Sequence, residues 1–230
     1  ISNITHKVIE KANEWQSRPL EAIYPIIFMD ATVLKIRVDR VVKNIACYIM
    51  LGITIEGKKE IIGIWIGENE TSKYWLTVLN DIQKRGVKDV LIFAIDGLNG
   101  FNEAIKAVYP KAEIQRCIVH QIRSSLRFVA WKDRKAVAKD LKSVYTTLDE
   151  ESAQLALTEF NDIWGKKYPN ITVSWTTHWN ELSTFFKYPQ SVRTLIYTTN
   201  PIESLNATIK RKTKSKGSFP TIESAFKVLY

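Results

Sequence analysis

The chain has 230 residues, 45% of them apolar and 25% charged, a globular composition that excludes a disordered or fibrous protein. Lys and Arg number 33 against 24 Asp and Glu, a net charge of +9 that points to a polyanionic partner, nucleic acid ahead of an anionic membrane. The two cysteines, Cys47 and Cys117, exclude a disulfide framework and suit a reducing compartment, and no apolar run approaches the roughly 18 residues of a membrane span.

Residues 6–16 place Val8, Ile9, Ala12 and Trp15 at helical spacing before the breaker Arg18-Pro19. Ile26 to Met29 is a buried-strand run that ends on the carboxylate of Asp30. Val41 to Ile55 and Ile61 to Ile66 flank the turn Glu56-Gly57-Lys58, which predicts an antiparallel hairpin. With the segment at Asp30 this makes three sequential strands. Thr71-Ser72 opens a helix with Trp75, Leu76, Leu79 and Ile82 on one face, stopped at Arg85-Gly86. A strand over Val87 to Ile95 ends on Asp96-Gly97, a short helix runs from Asn99 to Tyr109, and Glu113 to Cys117 is a fifth strand. From about His120 to Tyr188 strand texture gives way to two or three helices and a patch of Trp164, Trp175 and Trp179. A final helix begins at Thr198-Thr199-Asn200-Pro201 and runs to about Lys212. The order predicts an α/β domain with an all-helical insertion before its closing helix. No secretory signal opens the chain. It starts on Ile1 and stops at Leu229-Tyr230 inside a helical pattern, so the expectation is a piece of a longer protein.

Asp30 and Asp96 follow apolar strand runs, where open α/β sheets bind ligands. A carboxylate next to several buried apolar residues needs a metal, an arginine or backbone donors. Glu203 is the third candidate. If a sheet and a helix bring the three together, their hard oxygens suit Mg²⁺ or Mn²⁺, and two ions about 3.5–4 Å apart would act on both oxygens of a phosphodiester exchange. Other readings stand beside this one. Asp96-Gly97 is also a common turn dipeptide or helix cap, and Asn200-Pro201-Ile202-Glu203 is a capping box that accounts for Glu203 without a metal.

Beyond Glu203, Asn206 and Lys210 follow on one helical face, with Ile202, Leu205 and Ile209 on another. A basic run continues through Lys210-Arg211-Lys212, Lys214 and Lys216, which suits a phosphate backbone or a solvated face. Arg116 to Lys142 holds eight basic residues against two acidic ones and reads as a DNA-facing segment. Cys117-Ile118-Val119-His120 is a Cys-x-x-His pair, but no second pair has the spacing that a four-ligand zinc site requires. The tryptophan patch is interleaved with apolar positions and reads as core rather than as a base-stacking platform.

Several blocks, in this order, are specific together. They include Arg18-Pro19-Leu20, Met29-Asp30-Ala31, Gly63-Ile64-Trp65-Ile66-Gly67-Glu68 and Tyr74-Trp75-Leu76. Further along come Arg85-Gly86-Val87, Gln115-Arg116-Cys117-Ile118-Val119-His120 and Thr199-Asn200-Pro201-Ile202-Glu203-Ser204-Leu205-Asn206. Through them nearly the whole chain resembles the catalytic region of a Mutator-type transposase of the bacterial insertion-sequence branch. The resemblance implies an RNase H-like mixed sheet flanked by helices, with an all-helical insertion over about 120–197 inside a catalytic domain of residues 21–230. Residues 1–20 would be a helical lead-in closing a missing N-terminal region. The implied catalytic and metal-binding triad is Asp30, Asp96 and Glu203, holding two Mg²⁺ or Mn²⁺ ions for DNA cleavage and strand transfer. Cys117 and His120 are expected close to the active site. Arg116, His120, Arg123, Asn206, Lys210 and Arg211 are the expected DNA contacts. Terminal inverted repeats and target DNA would be the partners of a homo-oligomer, in the bacterial cytoplasm at the nucleoid and with no membrane. The rivals are a nuclease or resolvase on the same core without strand transfer, and a domesticated DNA-binding protein without catalysis. One departure lies at the second Asp: the family usually has Ser-Asp, whereas this chain reads Ala94-Ile95-Asp96-Gly97.

Overall fold

A computed structural model describes residues 2–67, 71–98, 100–198 and 200–230, with side chains throughout these except at 2–6 and 200. The readings that fall on Glu68, Asn99, Thr199 and the Asn200 side chain, including its role as helix cap, lie outside the described residues. Five strands form one sheet in the order β3-β2-β1-β4-β5, built from β1 (Ile23–Val38), β2 (Val41–Ile53), β3 (Lys59–Gly67), β4 (Asp89–Ile95) and β5 (Glu113–Arg116). β1, β2 and β3 are an antiparallel meander. β4 and β5 are joined through the helix α3 (Phe101–Val108), the crossover that a parallel pair needs. This is a mixed sheet flanked by helices, the α/β architecture expected.

The chain divides into two compact units. The first comprises Ile1–Phe93, Leu98–Ala112 and Asn200–Tyr230. In it β1 is a 16-residue strand that runs well past Asp30, contrary to the strand end expected there. The reason is a change of pattern within one strand. Residues 26–30 are buried on both faces, while Thr32, Leu34 and Ile36 are buried in alternation with exposed Val33, Lys35 and Arg37. β1 pairs with β2 from Ile26↔Ile53 to Val38↔Val41. The connecting turn is Asp39-Arg40, both at positive φ (51° and 66°). That is a two-residue hairpin turn without the glycine that usually announces one.

Helix α2 (Ser72–Lys84) starts where Thr71 Oγ1 accepts from the Tyr74 amide and buries Trp75, Val78, Leu79 and Ile82. Trp75 meets the Tyr48 ring edge-on at 4.6 Å and lies 5.0 Å from Phe101 of α3. α1 (Ser2–Ser17) and α11 (Ile222–Leu229) pack together. Just past α1, Arg18 donates to Ile61 O (2.6 Å) and to Glu60 Oε1 (2.8 Å), and the same Glu60 accepts from the Tyr24 hydroxyl (2.6 Å). The buried Arg85 donates to Ile62 O at 2.8 Å. Both arginines of the Arg-Pro-Leu and Arg-Gly-Val blocks therefore hold the β3 edge. α10 (Asn200–Lys214) packs on β1 and β2. The connection after it returns to β1, where Phe219 pairs with Ile36 through Phe219 N to Lys35 O and Arg37 N to Phe219 O, both 2.8 Å.

The second unit comprises Ala94–Gly97 and Glu113–Thr199. More helices occur here than the two or three expected: α4 (Ile118–Leu126), α5 (Arg134–Tyr145), α6 (Glu150–Trp164), α7 (Pro169–Thr177), α8 (Trp179–Leu182) and α9 (Gln190–Tyr197). Several have nine residues or fewer, too short to show three full turns of apolar period. Val137, Leu141, Phe160, Trp175 and Phe185 fill the core. Trp175 is fully buried and donates to Ser125 Oγ (3.0 Å), while the Trp164 and Trp179 indoles donate to Asp140 and Glu150 (both 2.8 Å). Trp175 is core, as read, while Trp164 and Trp179 are only half-buried. Gln115, wholly buried on β5, donates to Leu182 O (3.1 Å) and accepts from the Phe185 amide (2.8 Å), which ties the strand to the helical block.

Candidate active site

Asp30 sits mid-strand with 6% of its surface exposed. Its Oδ1 accepts from the Ala31 amide at 2.7 Å, and its Oδ2 accepts from Asn206 Nδ2 at 2.6 Å. Asn206 is 4% exposed and lies on the buried face of α10 with Ile202 and Ile209. Its placement differs from the sequence pattern, which set Asn206 with Lys210 on a polar face. A buried amide is stable in an apolar seam only when hydrogen-bonded, and the Asp30 carboxylate supplies that bond. Glu203, one turn before Asn206, is half-buried; Lys210 and Arg211 are exposed.

Near Asp30 on β1 and α10, Thr32 Oγ1 and Asn206 Oδ1 are buried without a hydrogen-bond partner among the described residues. Thr32 lies two residues from Asp30 and so on the same face of β1. A carboxylate accompanied by uncommitted hard oxygens fits a Mg²⁺- or Mn²⁺-type ion better than zinc.

In the second unit Asp96 follows β4, with Oδ1 3.0 Å from His120 Nδ1. The spacing of Cys117-x-x-His120 now has a geometric meaning. Cys117 is the buried N-cap of α4, and its amide donates to Ile95 O at 2.9 Å. The helix start is thereby fastened to the last residue of β4, and His120 in the first turn faces Asp96. Arg116 reaches across the Asp96-Gly97 loop and donates from Nε to Glu181 Oε2 at 3.0 Å. Gly97 has φ +70°, and a Cβ there would come within 2.3 Å of Arg116 Nη1. Asp96, Gly97, Arg116, His120, Arg123 and Arg127 line an open pocket of about 470 Å³. Arg123 and Arg127 are exposed, so the pocket has a positive wall beside a carboxylate. Arg127 and Glu181 belong to this site but carry no motif of their own. Arg127 lies within the basic run, while nothing in the sequence marks Glu181.

The family described as "Transposase, Mutator family" matches residues 1–230. The chain belongs to the Mutator family of transposases. It is 47% identical over its whole length to a probable transposase for insertion sequence element ISRM3-like of Sinorhizobium fredii, and 47% identical to the transposase for insertion sequence element ISRM3 of Rhizobium meliloti. In both cases the chain spans 58% of the relative's length. A probable insertion-element transposase of Corynebacterium diphtheriae is 42% identical over all of this chain and 67% of that protein. Among solved structures, the Drosophila P element transposase strand transfer complex is similar with a TM-score of 0.49 and 7% identity, over 97% of this chain and 83% of that one. In this Mutator transposase chain no helix among the described residues is long and apolar enough to cross a membrane.

Proposed function

We propose that this chain is the catalytic region of a transposase that cleaves DNA at insertion-sequence ends and joins the 3′-hydroxyls to target DNA. Asp30, Asp96 and Glu203 are its catalytic carboxylates. The observation that carries this reading is the Asn206–Asp30 hydrogen bond, which fastens the helix bearing Glu203 to the strand bearing Asp30. Asp96 follows β4, the neighbour of β1 in the sheet. Divalent ions held by these carboxylates, when bound, supply activation of the attacking oxygen and neutralisation of the leaving one.

The chain's own residues do the rest. Asn206 fixes the rotamer of Asp30, and His120 does the same for Asp96. Arg116, Arg123, Lys210 and Arg211 attract and position the phosphate backbone. Terminal inverted repeats and target DNA are the substrates, a homo-oligomer on DNA is the acting form, and the compartment is the bacterial cytoplasm at the nucleoid.

Cleavage and strand transfer on DNA bearing terminal inverted repeats, in Mg²⁺, tests this reading in the full-length protein. Asp30→Asn, Asp96→Asn and Glu203→Gln should each abolish both products. Cleavage without joining by the wild type would indicate a nuclease or resolvase. Mobilisation of an element by Asp30→Asn as efficiently as by wild type would overturn the catalytic reading of Asp30. Retained cleavage by Glu203→Gln would reduce Glu203 to a helix-capping group.

A further inference from the structure

The connection between α4 and α5 carries two aromatic rings that the core of the second unit does not use. Phe128 is 77% exposed and Trp131 85%, the two highest values among the exposed large apolar side chains of the described residues. Each is accompanied by an arginine. Arg127 Cζ lies 5.8 Å from the Phe128 ring centroid, and Arg134 Cζ lies 5.6 Å from the Trp131 centroid. Phe128 also forms one wall of a pocket of about 360 Å³ shared with Ser124, Val129, Lys167, Tyr168 and Pro169. The surrounding segment, Arg116 to Lys142, has eight cations and two anions.

We propose that Phe128 and Trp131 form a stacking platform for unpaired DNA bases, with Arg127 and Arg134 beside the adjoining phosphates. Exposed rings interleaved with guanidinium groups match a single strand, whose bases have flat faces to stack and whose backbone is anionic. Paired duplex DNA hides those faces within its stack and offers these rings only sugar and phosphate. An apolar protein partner would have to cover the surrounding cations without compensating them. The inference rests on the DNA-processing reading above and adds to it a preference for frayed or unpaired strand at the second unit.

Fluorescence anisotropy with the 230-residue chain tests it on three probes: a single strand, a blunt duplex, and the same duplex with an unpaired end containing 2-aminopurine. Because both rings are on the surface, the Phe128→Ala/Trp131→Ala pair should melt with wild type. Losing each ring should weaken single-strand and frayed-end binding by roughly 5- to 150-fold, the range measured for one base stack, while blunt-duplex affinity stays within about twofold. Trp131→Phe, which keeps a ring, should retain most of the affinity and the 2-aminopurine signal. Unchanged single-strand affinity in the folded double variant overturns the proposal. So does an equal loss on blunt duplex, which would mean electrostatics alone, or an altered assembly mass at unchanged DNA affinity, which would make the face a protein interface. A wild-type chain that binds none of the probes would overturn the DNA-processing reading itself, an outcome distinct from all of these.

Discussion

Asn206 Nδ2 donates to Asp30 Oδ2 at 2.6 Å, joining residues 176 positions apart in the chain. A buried carboxylate that loses such a donor keeps its desolvation cost without compensation. Asn206→Leu, close in volume, is expected to lower stability by about 1.5–3 kcal/mol. It is also expected to reduce metal-dependent cleavage roughly 10- to 100-fold, as loss of a group that orients a metal ligand does. Thermal melting and a Mg²⁺ titration of cleavage measure the two effects; a variant equal to wild type in both would show that the bond orients nothing.

Gly97 is needed for its backbone. With φ at +70° and Arg116 Nη1 on the side a Cβ would occupy, Gly97→Ala carries the left-handed penalty of about 1–2 kcal/mol and displaces Arg116 from Glu181. A fall in melting temperature of roughly 2–8 °C is expected. Glu181→Gln, without backbone strain, should melt nearly as wild type. Calorimetry of the two variants separates strain from loss of the ion pair.

Asp133 is one of the groups that should make the fold acid-sensitive. Hydrogen bonds from Lys167 and from the Tyr168 hydroxyl hold its carboxyl below the ordinary range, and the same contact raises Lys167. A depressed carboxyl stabilises the fold above its unfolded value near ~3.9, and that contribution is lost as pH falls through the lower folded value. The raised lysine acts in the opposite sense: its contribution is present below its unfolded value and is lost as pH rises through the folded one. Asp133→Asn should flatten both limbs of a melting-temperature profile from pH 2 to 12 and leave the neutral plateau lower.

Cys47 should be inert in the native state. It is wholly buried on β2 opposite Thr32, and desolvation pushes its thiol up to about 12, so almost no thiolate is present at pH 8. Mass spectrometry after iodoacetamide treatment should find Cys47 unmodified in folded protein and fully alkylated in denaturant. Alkylation in the folded state at the rate of a free thiol would mean that β2 opens.

Much of the first unit was legible residue by residue. Thr71 as a cap, the Trp75/Leu79/Ile82 stripe and the Gly57 turn are local signals, each read from neighbours within a few positions. The Asp39-Arg40 turn was not legible, because two non-glycine residues hold positive φ under the constraint of the paired strands on either side. The helical block was read only as a block, since its short helices lack side-chain caps and are held instead by Gln115 and Thr184 reaching between β5 and the helices.

The surplus charge, the three carboxylates, the Cys-x-x-His spacing and membership of the Mutator family follow from the sequence alone, because they are properties of residue type and order. Which side chains serve those carboxylates was decided by tertiary structure. Asn206 had the periodicity of a polar-face residue and became a buried donor to Asp30; His120 was one of a Cys-x-x-His pair and came to face Asp96; Glu181 had no signal until it met Arg116. The reason is physical: a hydrogen bond or ion pair between residues tens to hundreds of positions apart depends on where strands and helices converge, and no local period encodes that distance.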